Sequence, residues 1–100
     1  MGKEIIWTHQ ADAELHQAFL ELLEQSESLE TTTRIITEVY ESVSILTTNP
    51  EIYKLDPLKY NNKGTVRFYE KHTYRISYIV EEKAVYIIRV RYARKEPLGF

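Results

Sequence analysis

The chain has no cysteine among its 100 residues, so it holds no disulfide and no thiolate metal site. That absence fits a reducing, cytoplasmic setting. It has only three glycines, and none forms a loop of the kind that cradles phosphate. No apolar run approaches the roughly 20 residues of a membrane span, and MGKEIIWT at the N-terminus lacks a signal-peptide pattern. No internal repeat, low-complexity tract or heptad pattern is present. The histidines His9, His16 and His72 share no metal-ligand spacing with Asp or Glu, so no metal and no cofactor are expected.

What is present reads as one soluble globular domain over residues 1–100, long enough for a real core and too short for two. The net charge of −2 hides an asymmetry. Residues 1–62 hold four Lys and Arg against eleven Asp and Glu, while residues 63–100 hold nine against four. A basic C-terminal part on an acidic N-terminal part favours an anionic partner, nucleic acid or an acidic protein segment.

The most regular text is Tyr74 to Pro97. Two apolar runs alternate at period two around the polar break Glu81-Glu82-Lys83, which predicts a hairpin. Strict alternation puts Tyr74, Ile76, Tyr78 and Val80 on a core face, with Tyr86, Ile88, Val90 and Tyr92 on a core face in the second strand. It leaves Arg75, Arg89 and Arg91 on the opposite face with Ser77, Val85 and Ile87. Arginine suits phosphate or carboxylate, because its planar fork donates two parallel charge-assisted hydrogen bonds. The plainer reading is that these arginines keep a sheet face wet.

Upstream, Glu4–Thr8 reads as a short strand, with Thr8 as N-cap of a helix from His9 to about Gln25. Ala11, Leu15, Ala18, Phe19, Leu22 and Leu23 form its apolar stripe. Ser26 or Ser28 caps a second helix with the stripe Ile35, Ile36, Val39, Tyr40, Val43 and Leu46, closed by Asn49-Pro50. Residues 49–64 read as a loop ending in the turn Asn61-Asn62-Lys63-Gly64. Thr65–Lys71 is a strand with Val66 and Phe68 on one face and Arg67, Tyr69 and Lys71 on the other. The predicted class is α+β with the order β-α-α-β-β-β. A helical hairpin covers one face of a small, curved, mainly antiparallel sheet.

The stretches IIWTHQADAELHQAF, VRFYEKHTYRISYIV and IIRVRYARKEPLGF, with Asn-Pro closing the second helix, resemble the RelE/ParE superfamily of bacterial toxins. The resemblance runs over essentially the whole chain and in order. It implies the toxin half of a type II toxin–antitoxin pair, often filed as a plasmid stabilisation protein, with a cognate antitoxin as partner. One branch consists of ribosome-dependent mRNA endonucleases; the other poisons DNA gyrase. Both share the scaffold, so fold does not choose between them.

RNA cleavage needs a group to activate the ribose 2′-hydroxyl, a group to protonate the leaving oxygen, and cations on the phosphate. Arg67, Arg75, Arg89, Arg91, Arg94 and Lys95 supply cations for binding. By resemblance, Arg75 in YRISY matches the strand arginine of the RNA-cutting branch, and Arg94 matches a second arginine after the last strand. The acid/base side is thin. Ala93, Arg94 and Phe100 stand where that branch carries a tail Tyr or His. Tyr92, Glu70 and His72 remain as candidates, with Tyr92 read by alternation as a core tyrosine and His72 more plainly read as a surface or capping residue. The balance favours the gyrase-directed branch.

Overall fold

The structure, a computed structural model, describes residues 2–55 and 65–94. Thr8 is the joint between its first two elements. The Thr8 hydroxyl accepts from Ala11 N–H at 3.2 Å and donates to the Ile87 carbonyl at 2.8 Å. One side chain thus caps helix α1 (His9–Ser26) and ties it to the sheet. Strand β1 (Glu4–Trp7) precedes it. Glu27, left-handed at φ 55°, closes α1 by donating its N–H to Leu23 O. Of the two candidate caps for α2 (Leu29–Glu41), Ser28 is the one used, its hydroxyl accepting from Thr31 N–H at 3.1 Å.

The predicted second helix is two elements. After Glu41 the chain tightens into a 3-10 helix, Ser42–Thr47. Ser42 Oγ donates back to the Val39 carbonyl at 2.6 Å and meets Tyr69 Oη at 2.7 Å. Such back-bonding competes with the regular ladder, and the β-branched run beyond it has little helix preference to resist. Tyr40 is also corrected: it is half exposed and stacks on Trp7, with ring centroids 5.3 Å apart, instead of lying in the core.

The predicted loop contains a short strand, β2 (Lys54–Leu55), too brief to show alternation. With β3 (Val66–Lys71), β4 (Tyr74–Val80) and β5 (Ala84–Tyr92) the sheet is five-stranded and mixed, in the order β1-β5-β4-β3-β2. β1 runs parallel to β5 and the other pairs are antiparallel. The turn segment 61–64 lies outside the described residues.

Both helices lie on one face. Ala11, Leu15 and Ala18 of α1, with Ile36 and Val39 of α2, pack on Tyr69, Tyr74, Ile76, Tyr78, Val85, Ile87 and Val90. Ile76 and Ile87 are wholly buried, and trimming either to alanine should cost about 2–5 kcal/mol.

Val85 and Ile87 were expected on the opposite face. A β-bulge accounts for the difference. Tyr78 pairs with Ile87 but Ser77 pairs with Arg89, leaving Ile88 as the extra residue. Odd positions therefore face the helices before the bulge and even positions, Val90 and Tyr92, after it. Tyr86, opposite Ile79, is turned to the other face.

Candidate functional site at the basic end of the sheet

On the sheet face away from the helices, register builds a lateral row of three charged residues: Glu70 opposite Arg75, and Arg75 opposite Arg91. The next row is Phe68, Ser77 and Arg89. Alternation had grouped Arg75, Ser77, Arg89 and Arg91 on one face; the register adds Phe68 and Glu70 from β3. The plainer reading, that Arg75 only keeps this face wet, does not hold. Arg75 is only 3% exposed, and its guanidinium carbon lies 3.6 Å from the centre of the Phe68 ring. A flat, weakly hydrated cation over an aromatic face is favourable and loses less on burial than an ammonium would. Beside it Ser77 is 1% exposed, and its hydroxyl finds no hydrogen-bond partner among the described residues.

The other arginines divide. Arg89 is held by Glu14 of α1, with Nε at 3.0 Å and Nη2 at 2.9 Å from Oε2. The second oxygen of Glu14 accepts from Val90 N–H at 2.8 Å. β1 ends at Trp7, so β5 loses its neighbour beyond Ile87, and the carboxylate caps the edge left open. Arg67 shares the helix-side face with Tyr69 and donates Nη1 to the Tyr53 carbonyl at 2.8 Å. It is a structural tie and not part of the arginine row. Arg91 is half-buried and Arg94 is exposed. Lys95 and Phe100 lie outside the described residues.

The acid/base candidates do not converge. Tyr92 stands opposite Tyr74 on the helix side, with ring centroids 5.5 Å apart, beside Glu21 and Glu24 of α1. Its partner Tyr74 has a hydroxyl pKa raised by burial first, then by Tyr92 and Glu21. Glu70 is exposed on the opposite face, beside Arg75. Tyr92 therefore lies on the opposite face of the sheet from Arg75 and Glu70, while Arg91, on the open edge of β5, lines one cavity with Tyr74, Tyr92 and Glu21. Among the described residues no group of three or more His, Asp or Glu is placed to hold a metal, and no helix is long and apolar enough to cross a membrane.

Sequence reading missed two participants. Phe68 was noted only as a strand residue. Glu14 was not singled out, and its partner lies 75 residues away. His72, an acid/base candidate in the sequence, is instead held by Glu38 of α2 at 2.5 Å from a two-residue turn that carries no Asn-Gly signal.

Comparison with known proteins narrows the identity. A search by sequence among curated proteins finds no significant match. Among solved structures, the chromosomal ParDE toxin–antitoxin system of P. aeruginosa aligns with a TM-score of 0.76 at 17% identity, covering 92% of this chain and 97% of that one. The RelBE2 toxin–antitoxin complex of Mycobacterium tuberculosis aligns with a TM-score of 0.65 at 20% identity, covering 92% and 99%. At these identities the likeness establishes the fold, two helices on a five-stranded mixed sheet, of the α+β class that the residue pattern implied. Residues 5–97 match the family described as the ParE toxin of the type II toxin–antitoxin system, parDE. The chain belongs to that ParE toxin family, within the wider group to which its sequence motifs pointed.

Proposed function

We propose that this protein arrests bacterial growth by acting on DNA gyrase and that a cognate antitoxin neutralises it. The observation that carries the reading is the placement of Tyr92 on the opposite face of the sheet from Arg75 and Glu70. A ribonuclease of this size needs an acid and a base at the same phosphate as its cations. Loss of one such group typically costs about 10²–10⁴ in rate. Arginine stays protonated, so it stabilises charge but is a poor proton donor. Arg94, exposed just past the end of β5, is the arginine of this basic end best placed to meet a partner, with Arg91 half-buried beside it. The family match and the toxin–antitoxin origin of both structural neighbours support an antitoxin partner.

Two assays on the purified protein decide between the branches. Supercoiling by gyrase should fall with added toxin, and primer extension on translating ribosomes should find no new ends. Robust codon-dependent mRNA cuts that disappear in Tyr92→Phe would instead make it a ribosome-dependent endonuclease. For the partner, a short reading frame beside the gene should encode a protein that co-purifies with this chain and restores growth. A gene with no such neighbour would count against that part of the reading.

A further inference from the structure

The turn between β3 and β4 has two residues, His72 (φ 52°) and Thr73 (φ 65°), between the paired Lys71 and Tyr74. Two successive left-handed residues suit a tight hairpin, but Asn and Gly adopt them with least strain. This turn is fastened from outside. His72 Nε2 lies 2.5 Å from Glu38 Oε1 on α2. An ionised carboxylate only accepts, so the imidazole nitrogen facing it carries the hydrogen. The next residue, Thr73, accepts from Ala93 N–H at 2.7 Å through its carbonyl. Ala93 lies between Tyr92 and Arg94, just past the end of β5. A continuous path thus runs from α2 through the turn to the point where the basic segment leaves the sheet.

We propose that His72 is a positioning residue: held by Glu38, it sets through Thr73 where Arg94 leaves the sheet. The inference rests on the preceding functional reading only for what Arg94 does once placed. An imidazolium bonded to a carboxylate grips more firmly than a neutral imidazole. The charged groups around the pair are Arg34 and Glu38 on α2 and Lys71 on β3, with Arg34 Nη1 at 4.0 Å from the other Glu38 oxygen. The Glu38 carboxyl is held below its ordinary range, first by the hydrogen bond from His72. The contact therefore weakens as pH falls through the lowered Glu38 value.

NMR of the full chain tests this. The Ala93 and Arg94 amide shifts should move in His72→Ala and, in the same direction, in Glu38→Ala. Hydrogen exchange at Ala93 should quicken by roughly fivefold in either variant. His72→Gln, which still offers an N–H to Glu38, should keep Ala93 protected. Amides at Ala93 and Arg94 that are unchanged in both His72→Ala and Glu38→Ala would overturn the proposal. Growth arrest by the same variants separates the two ideas. If Ala93 follows His72 but His72→Ala remains fully toxic, the positioning stands, and the functional reading of Arg94 fails.

Discussion

The Arg75 guanidinium lies over the Phe68 ring, 3.6 Å from its centre, and is almost wholly buried on the sheet face that carries no helix. A cation in that place is part of the packing. Arg75→Ala should therefore destabilise the fold by about 1–3 kcal/mol instead of the few tenths typical of a surface arginine. Arg75→Lys should also be costly, because an ammonium is more strongly hydrated and does not stack. Urea unfolding of the two variants checks this. Midpoints equal to wild type would return Arg75 to the surface class.

Arg91 and Arg94 are more accessible and should behave the other way. The double variant Arg91→Ala with Arg94→Ala should relieve growth arrest while changing stability by about 1 kcal/mol or less. Tyr92→Phe and Glu70→Gln should each remain toxic. Plating after induction, with thermal unfolding as the control, reads both. A fully toxic double arginine variant would move the working surface elsewhere.

Glu14 joins α1 to the uncovered edge of β5 through one carboxylate with two kinds of partner, the Arg89 side chain and Val90 N–H. Hydrogen bonds to charged groups in partly buried settings contribute about 1.5–3 kcal/mol. Glu14→Ala should lose about that much, and Glu14→Gln less, because its amide oxygen can still accept from Val90. The alanine variant also uncovers a strand edge, so light scattering should show self-association that wild type lacks. A monomeric Glu14→Ala protein of unchanged stability would mean the edge is protected by something other than this carboxylate.

Tyr69 and Tyr78 set the alkaline limit of the fold. Burial, first among the causes, pushes both phenols up to about 12 from the ordinary 10.0. A folded value above the unfolded one means the stabilisation is complete below about pH 10 and lost as pH climbs through about 12. Absorbance at the tyrosinate band should therefore show two tyrosines ionising late, together with loss of structure. Tyr69→Phe leaves Ser42 Oγ with its bond to the Val39 carbonyl, so it should fold and remove one late-titrating group. Eight tyrosines ionising together near 10 in a folded protein would contradict this placement.

Much of the architecture was legible because it follows from local rules. Apolar spacing of three and four marked both helices, and Thr8 marked the first start, while the second was left between Ser26 and Ser28. Alternation placed Tyr74, Ile76 and Tyr78 correctly in the core. The strand ends at Lys71 and Tyr74 left room for a turn at His72-Thr73, but its left-handed backbone was not legible, since a histidine and a β-branched residue rarely accept it. Nor was β2, whose two residues acquire strand geometry only by pairing with Arg67 and Phe68.

By itself the sequence determined the order of elements, the apolar stripes, the basic C-terminal part and the family resemblance. Each is a property of neighbouring residues or of composition, and the chain carries it before any folding. Only the tertiary structure decided which arginines are accessible. Alternation counts residues, and the single extra residue at Ile88 exchanges the faces of everything beyond it. Burial of Arg75 depends on Phe68 from a neighbouring strand, and engagement of Arg89 on a helix 75 residues away. Such contacts depend on where distant segments meet, and that information is absent from any window of sequence short enough to read.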